Sequence, residues 1–192
     1  MQRVTIISPL HQAAKTHPHS IAISWCDQKN RIRLSYAQLS RIIINLGEQL
    51  HTLGLSRGHR LACIDSNSIE LVILYWACID QGVLFCPLSP RFPPVQIIEL
   101  VNRYALSHVW AGEQHQHLLT QDLSYKATSL NISLNFSLTK HTQPAPPKLD
   151  TKLAVNIILT SGSSGPPKAA LHSLNNHIAN AEGSRSFIPL EP

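Results

Sequence analysis

The sequence predicts an α/β fold, a mostly parallel sheet flanked by helices, and three observations carry that reading. Near-continuous apolar segments at 60–65, 83–88, 107–111 and 154–160 have the length and richness of strands buried on both faces. Segments with apolar residues at helical spacing separate the first three of them, the alternation of a doubly covered sheet. With 43% hydrophobic and 14% charged residues over 192 positions, the chain can bury a core and is not an intrinsically disordered one.

The elements follow in order. Residues 21–25 and 31–35 flank the polar stretch 27–30 and read as a β-hairpin. Ser35 suits an N-cap, and Leu39, Ile42, Ile43, Leu46, Leu50 and Leu53 follow on one helical face until Gly54 closes it. The strand at 60–65 leads to a helix over 68–81 that stops at Gly82, then to the strand at 83–88. Pro93 and Pro94 start a helix carrying Ile97, Ile98, Val101 and Tyr104, which feeds the strand at 107–111. From about 120 to 150 the periodicity fades into a variable connection, with one short strand expected around 130–138. Pattern returns with the strand at 154–160, a strand at 169–172 and a helix over about 174–182.

Composition excludes several classes. The longest apolar run, 71–79, falls well short of the about 20 residues a membrane-spanning helix needs, and the first residues lack the pattern of a signal peptide. A cytoplasmic location is the expectation. The net charge of +5 is spread over Arg31, Arg33, Arg41, Arg57, Arg60, Arg91 and Arg103 without a cluster, which argues against nucleic acid. Cys26, Cys63, Cys78 and Cys86 sit among apolar neighbours with no Cys-x-x-Cys pair, so buried reduced thiols are expected. His17 with His19, and His115 with His117, lack a third ligand at suitable spacing and read as surface, so no metal site is predicted. The acids Asp27, Asp65, Asp80, Asp122 and Asp150 form no pair for acid–base chemistry.

The chemistry lies in Thr160-Ser161-Gly162-Ser163-Ser164-Gly165-Pro166-Pro167-Lys168. A strand running into this stretch sets hydroxyls and bare backbone N–H groups at the carboxyl end of a sheet, where α/β folds bind ligands. Gly162 and Gly165 allow close backbone approach, successive N–H groups can form an anion nest, and Lys168 adds a full positive charge. Every feature favours phosphate. The spacing is not that of a Walker A loop, which needs its lysine straight after the second glycine. A flexible Gly/Ser linker would not follow an apolar strand directly and end in Pro-Pro-Lys.

This stretch resembles the phosphate-binding signature of the adenylate-forming superfamily, with Ser164 replacing the usual threonine. Leu34-Ser35-Tyr36-Ala37-Gln38-Leu39 and Gly82-Val83-Leu84-Phe85-Cys86-Pro87-Leu88-Ser89-Pro90 are similar to two earlier segments of that family; Ser89 stands for its usual Asn or Asp and is given no role. Within the superfamily, the segments 168–173, 177–181 and 90–93 look most like the o-succinylbenzoate–CoA ligases of menaquinone biosynthesis.

The resemblance implies the N-terminal part of the family's large domain over 1–192, and an ATP-dependent carboxylate–CoA ligase as the family activity. A carboxylate attacks the α-phosphate of ATP, and CoA then displaces AMP. It implies that Thr160, Ser161, Gly162, Ser163, Ser164 and Gly165 hold the β- and γ-phosphates, and that Lys168 neutralises charge on the departing pyrophosphate. ATP, CoA and Mg²⁺ are the implied cofactors and a small carboxylic acid the partner, with the Mg²⁺ ligand and most of the acyl pocket expected beyond Pro192. The isolated chain is therefore expected not to be competent alone. Ligases for fatty or other aryl acids, and a non-catalytic module binding a nucleotide or a partner, are the alternatives. His172, near the loop in sequence, reads equally as a nucleotide contact or a structural histidine.

Overall fold

The computed structural model describes residues 5–26, 31–124, 126–132, 134, 145–160 and 167–188. Strand β1 (Thr5–Ile7) leads into helix α1 (Pro9–Thr16), and the hairpin strands β2 (Ile21–Cys26) and β3 (Arg31–Ser35) precede α2 (Tyr36–Thr52). Then come β4 (Arg60–Ile64), α3 (Ile69–Gln81), β5 (Leu84–Leu88), α4 (Pro94–Arg103) and β6 (His108–Ala111). A 3₁₀ turn (Glu113–Leu118) and α5 (Gln121–Ser124) lead towards β7 (Lys148–Asp150), β8 (Ala154–Thr160), β9 (Lys168–Ser173) and α6 (Leu174–Phe187).

The central sheet has the order β6-β4-β5-β8-β9. Its first four strands run parallel and β9 returns antiparallel along β8, so the predicted class stands, with one antiparallel edge strand. Alternation along the strands divides the core in two. Leu61, Cys63, Phe85 and Trp110 face a cluster built with α2 and α3, including Ile43, Leu46, Leu50, Ile73 and Leu74. Ala62, Ile64, Cys86, Leu88, Val109 and Ala111 face the opposite cluster with Ile97, Leu100 and Val101 of α4. Each crossover thus lays its helix on the face that its strand leaves apolar.

Local chemistry fixes the boundaries. Ser35 and Gln38 close a reciprocal capping box at the start of α2: Ser35 Oγ accepts from Gln38 N at 3.3 Å, and Gln38 Oε1 accepts from Ser35 N at 2.9 Å. Ser68 Oγ accepts from Leu71 N at 3.1 Å to start α3, which ends at Gly82 in the left-handed region at φ +67°.

Several features depart from the sequence reading. Helix α1 and the β1–β7 pair were not foreseen, although Ser8 before Pro9 is a readable start signal; its Oγ caps His11 N at 3.3 Å. The strand expected around 130–138 is absent from the described residues 130–132 and 134, where Leu130, Ile132 and Leu134 pack on the α2–α3 cluster as irregular chain. The connection over 120–150 holds α5 and β7, and α6 runs on to Phe187. The hairpin turn at 27–30 lies outside the described residues. Cys63, Cys78 and Cys86 are buried free thiols, with burial pushing Cys86 up to about 12, but Cys26 is exposed because it ends an outlying hairpin strand.

One buried polar group ties three helices together. The His11 ring on α1 lies 2.8 Å from Ser40 Oγ on α2 through Nδ1, and 2.6 Å from Asp80 Oδ2 on α3 through Nε2. All three residues are buried. Burial pushes the Asp80 carboxyl above the usual carboxylate range, with the His11 contact pulling the other way.

Candidate functional site

Strands β4, β5, β6 and β8 all point their carboxyl ends to one edge of the sheet, the edge at which α/β folds bind ligands. β8 delivers the hydroxyl- and glycine-rich stretch there. Thr160 and Lys168 are register partners across the β8–β9 pair, and Thr160 Oγ1 donates to Lys168 O at 3.3 Å. The six positions 161–166 are thereby a connection whose two ends are fixed side by side. Thr160 and Lys168 are both exposed; the Thr160 hydroxyl is committed to Lys168 O, and the Lys168 ammonium is the group open to a ligand. Ser161, Gly162, Ser163, Ser164 and Gly165 lie outside the described residues.

The exit of the connection is held from another element. Tyr104, which caps α4, donates its phenolic O–H to Pro167 O at 2.5 Å, and its own carbonyl accepts from Arg60 Nη1 at 2.6 Å. The apolar periodicity gave Tyr104 a place on the buried face of α4 and no sign of this contact, which joins positions 63 apart.

His172 lies four residues along β9 from Lys168. At a strand rise of about 3.3 Å per residue it stands roughly 13 Å from Lys168. It pairs in register with Asn156, and its ring lies 5.6 Å from that of His177. His177 Nε2 contacts Asn156 Oδ1 at 3.1 Å, and burial together with the His172 ring holds the His177 pKa below its ordinary value. This group bonds α6 to β8, and among the described residues the contacts of His172 are with it.

A second concavity opens between the ends of β4 and β6, a crevice of about 600 Å³ lined by Trp25, Ile32, Trp110, Ile132 and the segment from Asp65 to Glu70. The Asp65 carboxylate accepts from Ser66 N at 2.8 Å and Ser68 Oγ at 2.7 Å. A Cβ on Gly112 would lie 2.5 Å from that carboxylate, which explains a glycine there. His115 contacts Ser66 Oγ at 3.0 Å, and its ring is 6.3 Å from that of His117. Among the described residues no group of three or more His, Cys, Asp or Glu side chains could hold a metal ion. The donors at the β8–β9 connection are hydroxyls and an ammonium, a set that suits an anion and not Mg²⁺.

Comparison with known proteins places this geometry. The family described as AMP-binding enzyme matches residues 10–190. A mycosubtilin synthase of Bacillus subtilis is 30% identical over 187 residues, covering 93% of this chain and 7% of that protein. The 2-succinylbenzoate–CoA ligase of Escherichia coli (strain K12) is 27% identical over 161 residues, covering 83% of this chain and 33% of that protein. The solved structure of the Bacillus subtilis o-succinylbenzoate coenzyme A synthetase in complex with AMP superposes with a TM-score of 0.78 at 18% identity, over 98% of this chain and 48% of that one. The chain therefore spans a third or less of these curated relatives and about half of that structure.

Proposed function

The chain belongs to the AMP-binding enzyme family, and on that premise we propose that it carries the polyphosphate-binding loop of a carboxylate-activating ligase. The supporting observation is the pairing of Thr160 with Lys168 at the carboxyl end of β8, which closes the Ser/Gly connection and sets an exposed ammonium at its exit. In this reading the acid's carboxylate oxygen attacks the α-phosphorus of ATP, forming an acyl–O–P bond as the bond to pyrophosphate breaks. CoA thiolate then attacks the acyl carbon and releases AMP. The hydroxyls of Ser161, Ser163 and Ser164 and the N–H groups about Gly162 and Gly165 hold the β- and γ-phosphates, while Thr160, whose hydroxyl donates to Lys168 O, holds the two ends of the connection together. Lys168 neutralises the charge that grows on the leaving pyrophosphate, a preorganised electrostatic contribution.

The acid we propose is 2-succinylbenzoate, placing the chain in menaquinone biosynthesis. The segment Lys168-Ala169-Ala170-Leu171-His172-Ser173 and the identity to the Escherichia coli ligase support it. A second reading, an adenylation unit that activates an amino acid, is favoured by the 30% identity to the mycosubtilin synthase.

Acid-dependent ATP–pyrophosphate exchange tests the proposal, with 2-succinylbenzoate, benzoate, a medium-chain fatty acid and an amino-acid mixture, alongside direct ATP binding. Exchange driven by 2-succinylbenzoate alone supports the first reading, and exchange driven by amino acids supports the second. In either case Lys168→Ala lowers exchange by about 10²-fold or more, the value of one preorganised donor to developing charge. A folded chain that binds ATP without exchange keeps the loop assignment and meets the expectation that these 192 residues are not competent alone, the acid then being read from exchange by a chain of the relatives' length. A folded chain that binds no ATP overturns the loop assignment.

A further inference from the structure

We propose that Tyr104 is a positioning residue for Lys168, acting through a tether on the residue just before it; the inference rests on the loop assignment above. Pro167 has no N–H, so its carbonyl is the backbone group by which the chain can be fixed at that point. That carbonyl accepts the Tyr104 phenol at 2.5 Å. The tether starts from a well-held base. The Tyr104 ring packs on the cluster of Leu100, Val101 and Leu106, its N–H donates to Leu100 O at 3.0 Å, and its carbonyl accepts from Arg60 Nη1 of β4 at 2.6 Å.

The residue after it, Ala105, has φ +48°, the one non-glycine positive φ among the described residues. A left-handed alanine is strained, and it ends α4 at the position that presents the tyrosine.

β9 needs such a fixture. β9 is the edge strand of the sheet and is laddered to β8 alone. Thr160 Oγ1 binds Lys168 to β8 alone. The Tyr104 bond is what references Pro167 and Lys168 to α4 and, through Arg60, to β4. A phosphate-binding ammonium then approaches its ligand from a fixed origin, so less ordering remains for the ligand to impose.

Tyr104→Phe removes the phenolic oxygen and keeps the ring. Two measurements on the folded chain are compared with wild type: hydrogen exchange of a peptide spanning 160–170, and ATP affinity by calorimetry. We expect severalfold faster exchange in that peptide, with α2, α3 and β4 unchanged, and an ATP affinity loss of roughly three- to tenfold, the value of one neutral hydrogen bond. On a Lys168→Ala background the same change adds little further loss, because the tyrosine acts through the lysine. Unchanged exchange and affinity overturn the proposal, as does an equal loss on both backgrounds. Faster exchange throughout the chain makes Tyr104 a general stabiliser and overturns it too. Wild type that binds no ATP overturns the loop assignment, a failure separable from that of the tether because the exchange comparison reads the tether alone.

Discussion

His11 shows how much a single buried side chain decides. It is 1% exposed and holds Asp80 at 2.6 Å, so its loss leaves a carboxylate in the interior without its partner. Removing one member of such a pair costs about 3–5 kcal/mol, a large part of a domain's stability. His11→Leu is therefore expected to lower the urea midpoint sharply, and His11→Leu with Asp80→Leu to recover most of that loss. The variant also acquires a pH dependence with a defined sign. The folded state holds the Asp80 proton to higher pH than the unfolded chain, which releases it near about 3.9. Between those two values the folded state binds more protons, so the variant's stability falls as pH rises. Urea unfolding of the single variant and of wild type at pH 5 and pH 8 checks it, since the other groups titrate alike in both; the same pH dependence in the two proteins would contradict this account. None of this was legible in the sequence. Asp80 read as an isolated acid because its partner lies 69 positions away, and pattern reasoning reaches only as far as a local period. Tyr104 and Pro167 escaped for the same reason, whereas Thr160 and Lys168 were legible because they flank one continuous motif.

Elements were legible where their own residues carry the instruction. Ser35, Ser68 and Gly82 each announced a helix end and each occupies that end. Gly82 is required twice over: φ is +67°, and an added Cβ would meet Arg57 Cβ and Cγ at 3.3 Å. Gly82→Val combines a left-handed β-branched residue with that crowding, and about 2 kcal/mol or more of destabilisation is expected. Thermal unfolding checks this, and a variant within a few tenths of a kcal/mol of wild type would refute it. The helix boundary itself should hold, because Gly82 N donates to Cys78 O and Ile79 O independently of the side chain. Elements stayed hidden where the instruction comes from elsewhere. β1 and β7 are three-residue strands whose only ladder among the described residues is with each other, across most of the chain, and neither has the length to show a period. Leu130, Ile132 and Leu134 alternate as a strand would, yet they serve as apolar plugs over the α2–α3 cluster without a ladder. Alternation says which side chains are buried, and a ladder also needs a free sheet edge beside them.

At the scale of the molecule, the order of the sheet turns local patterns into a site. Because β6 crosses to the far side of β4 while β5 and β8 extend the other way, the chain ends after β4 and β6 face each other across the crevice. The connection after β8 opens on the same edge of the sheet. The strands were readable one by one; their order was not, since it is settled by which face each crossover helix must cover. The same order leaves β9 as an edge strand carrying Leu171, which is 62% exposed, with Phe187 and Ile188 exposed at the end of α6. Leu171 is the register partner of Ile157, whose side chain is buried in the α4 cluster, so the two share a face that α4 covers over β8 and leaves open over β9. An apolar side chain on an unpaired edge invites strand pairing between copies, and a lysine there is the usual deterrent. The isolated chain is therefore expected to self-associate with rising concentration, and Leu171→Lys to reduce that association several-fold. Because Leu171 makes little buried contact, unfolding of the dilute protein should shift by no more than about 0.5 kcal/mol. Sedimentation over a hundredfold concentration range, with urea unfolding in parallel, separates the two effects. Association unchanged by the substitution would move the cause away from β9, to Phe187 and Ile188 on α6.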